Sequence, residues 1–168
     1  NGKAGYVDPT GREVIPAKYE SAHSFVNGLA RVQLNGKWGY INAAGKEIVD
    51  IRFDKVFGFT SGRAAVVLNG KLGFVNTNGK LVIGLKYDYK SFSYQAERLV
   101  VQSDNKWGAF DMSGNIIVPF IYDKSFEFYQ DEVAIVTKNE KKFIIGTDGQ
   151  RITAAEYDMI YTFEEGLA

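Results

Sequence analysis

The chain of 168 residues is 45% hydrophobic and balances 20 basic against 20 acidic residues, a composition typical of a folded globular protein. The neutral balance lacks the long-range field that attracts nucleic acid or an anionic membrane, so neither is expected as a partner. Because cysteine is absent, disulfides, thiolate zinc sites and cysteine nucleophiles are excluded. No apolar run approaches the roughly 18 residues that span a bilayer, which predicts no membrane insertion by this segment.

The predicted elements are β-strands that follow one another closely along the chain. Residues 29–34 alternate between apolar and polar types, Asn35-Gly36 is a favoured two-residue hairpin turn, and residues 37–42 alternate again. A glycine-containing turn at 43–46 leads to a third strand. The proline-containing segment 16–20 of the preceding unit breaks the strand pattern. Each unit is therefore predicted to be a three-stranded meander followed by a short loop.

A similar sequence motif occurs five times along the chain, with a period of 34 or 35 residues. One column of the repeat holds a turn glycine, and another holds an aromatic residue followed directly by an acid in every unit. The units are approximately 1–34, 35–68, 69–103, 104–138 and 139–168, the last of them truncated. We interpret the chain as a single repeat domain excised from a longer array.

A meander of this size exposes one apolar face that it cannot bury alone, so neighbouring units are expected to stack. The sequence predicts an all-β tandem repeat array of five stacked three-stranded β-meander units, forming an open solenoid or superhelix. The alternative is a closed five-unit ring like a β-propeller. That ring requires a fourth strand in each unit, which the segment after the third strand could supply.

The acid column is a candidate for metal binding, because stacking could line its carboxylates along one edge. An acid at the end of a strand also commonly accepts hydrogen bonds from backbone amides. Calcium loops need several oxygen ligands close together, and no such run is present. We favour the capping interpretation and predict no metal, cofactor or catalytic residues. The members of the column are Glu20, Asp54, Asp88, Asp123 and Asp158.

His23 is the only histidine, and no pattern typical of a nucleophile elbow accompanies it. Aromatic residues occupy its column in most other units, so a structural role is expected.

Aromatic residues also crowd the two loops that carry an extra residue, in the third and fourth units. Core packing is one explanation, and contact with a protein or carbohydrate is the other, since exposed aromatic rings offer apolar area with a polar handle. The candidate ligand contacts are Tyr89, Phe92, Tyr94, Phe128 and Tyr129. Phe126 belongs to the same crowded region.

The run Gly36-Lys37-Trp38-Gly39-Tyr40-Ile41-Asn42, continued by Gly45-Lys46, resembles the WG-repeat family of bacterial proteins. The resemblance covers the whole chain as five units, with departures at Ala4, Leu72 and Ala109 and with Lys142-Phe143 in place of Trp-Gly in the fifth. It implies a β-rich repeat array in long bacterial proteins, with envelope or extracellular associations. It implies no established catalytic activity.

Together these observations predict a non-enzymatic binding or scaffolding module whose partner is a protein or a glycan. Protein–protein interaction is the leading expectation. The alternatives are a glycan-binding module at the cell envelope and a spacer array attached to an enzyme domain elsewhere in the parent chain.

Overall fold

The computed structural model describes residues 2–89, 92–95, 97–130, 132–161 and 163. These residues form seventeen β-strands and no helix, so the described part of the chain holds no helix that could cross a membrane. The strands form five antiparallel sheets, named A to E in chain order. The chain divides into two compact bodies, Asn1–Lys86 and Tyr87–Ala168.

The first body contains sheets A and B and nearly all of sheet C. Sheet A pairs β1 (Ala4–Val7) with β2 (Glu13–Tyr19). Sheet B runs β3 (Ser21–Ala22), β4 (Leu29–Leu34), β5 (Lys37–Asn42) and β6 (Glu47–Phe53). Sheet C runs β7 (Lys55–Val56), β8 (Arg63–Leu68), β9 (Lys71–Asn76) and β10 (Leu81–Asp88).

The second body contains sheets D and E. Sheet D runs β11 (Phe92–Gln95), β12 (Arg98–Ser103), β13 (Lys106–Asp111) and β14 (Ile116–Tyr122). Sheet E runs β15 (Phe128–Tyr129), β16 (Val133–Lys138) and β17 (Lys141–Gly146).

The central hairpin of each complete sheet follows from its turn residues. Asn35 and Gly36 have φ values of 50° and 73°, the left-handed pair that a two-residue hairpin turn requires. The turn aligns β4 with β5 without a register shift, from Leu29 opposite Asn42 to Leu34 opposite Lys37. The expected hairpin is therefore confirmed.

In sheets A, B and D the last strand bulges opposite the glycine at the place of the Trp-Gly pair. In sheet B, Trp38 lies opposite Phe53 and Tyr40 lies opposite Val49, so β5 advances two residues while β6 advances four. The extra residues bring the β6 backbone over Gly39, where a Cβ atom would lie 2.5 Å from the Val49 carbonyl oxygen. A glycine is needed at this position because backbone occupies the space of a side chain.

The same bulge explains why the proline segments do not end their strands. Pro16 lies within β2 and Pro119 within β14, in the stretch that leaves the regular ladder. Proline has no N–H to donate, so it is tolerated where a strand bulges. The prediction that segment 16–20 breaks the strand was wrong for this reason.

Successive sheets bury their apolar faces against each other within each body. In the first body, Tyr40, Val49 and Phe53 of sheet B pack with Val56 and Val66 of sheet C. In the second body, Trp107 and Val118 of sheet D share one core with Val136 and Ile145 of sheet E. The stacking expected of the repeat is present inside both bodies.

The expected all-β tandem array of meanders is confirmed, and the number of strands in a unit is corrected. Sheets B, C and D each have four strands, because the segment after the aromatic-acid pair adds a short strand of two to four residues. The unit boundaries stay a prediction, because a repeat can be divided at any point of its period. The predicted boundary between residues 34 and 35, for example, falls inside a hairpin turn. The choice between open array and closed ring also stays a prediction.

The fifth unit departs from the others where Phe143 replaces the glycine. Two isolated bridges, Lys142 to Tyr157 and Ile145 to Arg151, stand where the other sheets have their last strand. Between these bridges the Ile144 N–H donates to the Thr153 hydroxyl at 3.1 Å. Tyr157 is 43% exposed, whereas its counterpart Phe53 is 2% exposed. Loss of the Trp-Gly pair to Lys142-Phe143 predicts that this unit is distorted, and the isolated bridges confirm it. Residues 162 and 164–168 lie outside the described part.

Candidate functional site

The acid column caps hairpin turns in the described part of the chain. Glu20 accepts hydrogen bonds from the backbone N–H groups of Asn35 at 3.1 Å and Gly36 at 2.8 Å. Asp54 accepts from the backbone N–H of Asn69 at 2.6 Å and from the Lys37 ammonium at 2.5 Å. Each carboxylate thus ties the end of one sheet to the central turn of the next, and we name this contact the acid latch.

The second body contains the same contact in a complete and a partial form. Asp123 accepts from the backbone N–H of Asn139 at 2.6 Å and from the Lys106 ammonium. Asp158 pairs with Lys141, but its side chain is 87% exposed. Within the described residues no group of three or more histidine or acidic side chains could hold a metal ion. The backbone amides in the acid latch support the capping interpretation.

The acid latch makes stability depend on pH. The Lys37 hydrogen bond, followed by that of Asn69, lowers the pKa of Asp54 below its ordinary value of 3.8, and Lys106 and Asn139 do the same for Asp123. Because the folded state binds fewer protons, the latch contributes its full stability above pH 3.8. We expect the melting temperature to fall as the pH drops from this value through the lower pKa of the folded state.

The measurement is thermal unfolding by circular dichroism across that pH range. Asp54→Asn should flatten the acid limb of the curve and lower stability at neutral pH. Asp50→Asn is the matched control, since the side chain of Asp50 is 75% exposed and pairs with Arg52 at 3.6 Å. An equal flattening in both variants would contradict the assignment to the latch.

His23 lies in an exposed cluster at the edge of sheet B. Its ring centroid is 5.7 Å from that of Trp38, and its Nδ1 is 3.4 Å from a guanidinium nitrogen of Arg31. Burial, followed by the charge of Arg31, lowers the pKa of His23 below 6.5. The Tyr6 hydroxyl donates to the His23 carbonyl oxygen at 2.7 Å, which ties the backbone to sheet A. The imidazole contacts other side chains, which agrees with a structural role. It is nevertheless exposed, although the aromatic residues in its column predicted a packing position.

The five candidate ligand contacts separate into two groups in the second body. Tyr89, Phe92 and Tyr94 are half-buried, and the rings of Phe92 and Tyr94 meet edge to face with centroids 5.9 Å apart. Phe128 is 8% exposed and faces the Arg98 guanidinium at 4.7 Å. Tyr129 is half-buried and stacks on Phe163 at 5.0 Å.

The second group lines a cleft of about 540 Å³. Phe126, Phe128 and Tyr129 form one wall, Phe163 and Ile135 supply further apolar surface, and Glu127 and Gln130 are among its polar lining residues. Phe126 and Phe128 expose 3% and 8% of their surface, so they support the cleft more than they offer area to a ligand. Tyr129 has more accessible surface than either.

Gln95 fixes the wall of this cleft, and sequence analysis missed it. Its side-chain amide donates to the Phe126 carbonyl oxygen at 3.0 Å and accepts from the Phe128 N–H at 2.8 Å. A glutamine amide can replace a neighbouring strand in this way because it carries both a donor and an acceptor. A sequence clue existed: Tyr94-Gln95 and Tyr129-Gln130 form the same dipeptide at corresponding places in the two inserted loops.

Solved structures that resemble the chain do so weakly. Kluyveromyces lactis Hsv2 matches with a TM-score of 0.44 and 8% identity, over 84% of this chain and 52% of that one. A eukaryotic initiation factor matches with a TM-score of 0.48 and 10% identity, over 91% and 49%. A Bacteroides caccae protein of unknown function matches with a TM-score of 0.32 and 14% identity, over 93% and 74%. The chain spans about half the length of the first two.

These scores are too low to support any statement about function. No curated protein matches the chain. The model of the WG containing repeat, by contrast, matches five consecutive segments, residues 5–38, 38–71, 73–107, 107–141 and 144–168. The first four segments contain the close-approach glycine, and all five contain the turn glycine. The chain therefore belongs to the family of WG containing repeat proteins.

Proposed function

We propose that the chain is a non-enzymatic binding module whose partner is a protein. The observation that carries this proposal is the apolar cleft of about 540 Å³ in the second body, where Tyr129 is more accessible than Phe126 and Phe128. Small-ligand and side-chain pockets of this volume are lined mainly by apolar residues, with a few polar groups to fix orientation. Membership of a repeat-module family agrees with a binding role.

The cleft suits an apolar side chain better than a sugar ring. The ring of Tyr129 lies against that of Phe163 with 30° between their planes, and Phe126 and Phe128 are largely buried. Stacking covers one face of Tyr129 and one face of Phe163, and burial covers most of Phe126 and Phe128, so these four rings offer a sugar little flat aromatic surface. A leucine or aromatic side chain of a partner could instead enter the cleft, which is how many interface anchors bind.

The experiment is a selection of displayed peptides against the whole chain, followed by affinity measurement on the enriched sequences. Tyr129→Ala should weaken their binding by about tenfold or more, the loss typical of an interface anchor. Tyr157→Ala is the control, because Tyr157 is exposed but does not line the cleft. Equal affinity of Tyr129→Ala and the unaltered chain would reject the cleft as the site.

Glycan binding at the cell envelope is the second candidate, favoured by the half-buried rings of Phe92 and Tyr94 on β11. A glycan array decides between the two. Recognition of a glycan that is lost in Tyr94→Ala, together with failure of every selected peptide, would favour this candidate. Robust turnover of an ester, glycoside or phosphate substrate would overturn the non-enzymatic part of the proposal.

A further inference from the structure

Three neighbouring side chains on adjacent segments of sheet B, His23, Arg31 and Tyr40, form a polar row, whereas the residues at the same places of sheet C are apolar. The His23 N–H donates to the Arg31 carbonyl oxygen at 3.0 Å, and Arg31 lies opposite Tyr40. In sheet C the Phe57 N–H donates to the Ala65 carbonyl oxygen at 3.0 Å, and Ala65 lies opposite Phe74. The two rows hold the same places in the repeat, so sheet C serves as an internal reference for sheet B.

Three differences distinguish the rows: Tyr40 stands in place of Phe74, and the other two differences each add a nitrogen group that can bind an anion. His23 takes the place of Phe57, and Arg31 takes the place of Ala65, which is 0% exposed. Val100 and Ile135 hold the place of Arg31 in the next two units, so apolar residues are the rule there. Packing alone would not call for a guanidinium at this position.

The charge of Arg31 is not neutralised within the described residues. Its guanidinium makes no ion pair there; it lies 3.4 Å from His23 Nδ1 and acts electrostatically on the hydroxyl of Tyr40, the residue opposite it. Arg31 is half-buried, and a guanidinium stays charged at any physiological pH. Binding of an anion to a partly desolvated cation without a counter-charge is favourable, because the free-energy cost of removing water from the cation has already been met during folding.

We propose that Arg31, with His23 and Trp38 beside it, binds a carboxylate side chain of an acidic peptide segment. The planar guanidinium matches the two oxygens of a carboxylate, and His23 can donate from its ring at the same edge. Trp38 is half-buried and supplies apolar area for the stem of the acidic side chain. Arginine and tryptophan are also the residue types most enriched at the centres of protein interfaces.

An acidic peptide fits this cluster better than an acidic sugar. The imidazole lies 5.7 Å from the indole centroid at 43°, so it covers part of the indole face that a sugar ring would need. The site lies in the first body, far along the chain from Tyr129. The inference extends the proposed binding function to a second surface, and either site can fail in experiment while the other holds.

The test uses oligo-glutamate as the probe, with oligo-glutamine as the neutral control and oligogalacturonate as the acidic sugar. His23 is the only histidine in the chain, so its imidazole signals in NMR spectra need no assignment among several candidates. Oligo-glutamate should shift these signals at low salt, and the affinity should fall as salt is added. Oligo-glutamine should leave them unchanged.

Arg31→Ala is the decisive variant, because it restores the residue that sheet C carries in the same place and should therefore fold. We expect it to weaken oligo-glutamate binding by about tenfold or more, since hydrogen bonds between charged groups are the strong ones. Arg52→Ala is the matched control, because Arg52 is an exposed guanidinium on β6 that already pairs with Asp50 at 3.6 Å.

Equal affinity of Arg31→Ala and the unaltered chain would overturn the proposal, as would equal losses in Arg31→Ala and Arg52→Ala. Binding of oligogalacturonate without binding of oligo-glutamate would reject the peptide and assign the cluster to an acidic sugar. Loss in Arg31→Ala with retention in Arg52→Ala would support the site. His23→Phe, which also copies sheet C, should weaken binding less than Arg31→Ala because the guanidinium remains.

Discussion

Gly79→Ala is expected to lower the free energy of unfolding by about 4 kcal/mol, near the upper end for a single substitution. Gly79 lies in the turn after β9 and has φ of 80°. A Cβ atom there would overlap the Ile48 carbonyl oxygen and lie 2.8 Å from the Ile48 carbonyl carbon. Since the obstacle is the backbone of β6, sheets B and C must separate to admit one methyl group.

Urea unfolding followed by tryptophan fluorescence measures the effect, because Trp38, one of the two tryptophans, packs at the interface of these two sheets. Gly70→Ala separates strain from collision. Gly70 has φ of 72°, and nothing lies within 4 Å of the position of its Cβ atom. It should cost about 1 to 2 kcal/mol, the ordinary penalty of the left-handed region for alanine. Similar losses of unfolding free energy in Gly79→Ala and Gly70→Ala would show that the Gly79 turn does not collide with the backbone of β6.

Gly39→Ala should lower the free energy of unfolding by about 3 kcal/mol, because it forces β6, the last strand of sheet B, away from β5. The added Cβ atom would lie 2.5 Å from the Val49 carbonyl oxygen and 2.8 Å from both the Asp50 oxygen and the Ile51 Cα atom. The fifth unit shows the consequence, since Phe143 stands at this place and its third strand is reduced to isolated bridges.

Gly84→Ala is the control for Gly39→Ala. Gly84 also lies in a strand, but nothing is within 4 Å of its Cβ position. Alanine there should be neutral or slightly stabilising, because it reduces the entropy of the unfolded chain. The same urea experiment compares the two. A loss in Gly39→Ala no greater than in Gly84→Ala would mean that β6 can move aside at little cost.

The repeat and its hairpins could be predicted from sequence because each depends on local chemistry that recurs at a fixed spacing. Capping of backbone amides by the acid column was also predicted, but only the structure shows that each acid reaches the central turn of the next sheet. The additional strand of each unit could not be predicted, because segments such as Lys55–Val56 and Ser21–Ala22 are too short to show an alternation of apolar and polar residues. The bulge was also missed. A proline usually marks the end of a strand, and only the paired backbone reveals that Pro16 lies where a donor is not needed.

The candidate sites show the same limit. Aromatic crowding in the inserted loops pointed to Phe128 and Tyr129, but sequence could not tell that they share a cleft while Phe92 and Tyr94 lie outside it. Arg31 was missed although its column was available. Its departure from Ala65, Val100 and Ile135 becomes informative only when the row that joins it to His23 is known.

The acid latch holds the peptide backbone of the neighbouring turn, and this makes the junction between units tolerant of drift in the turn. Asp54 binds the backbone N–H of Asn69 in an Asn-Gly turn, and Asp123 binds that of Asn139 in an Asn-Glu turn. Glu140 adopts φ of 65° there without the help of glycine. A carboxylate that binds backbone amides does not depend on which side chains the turn carries. Whole units can therefore be duplicated, lost or exchanged while the junction keeps its geometry.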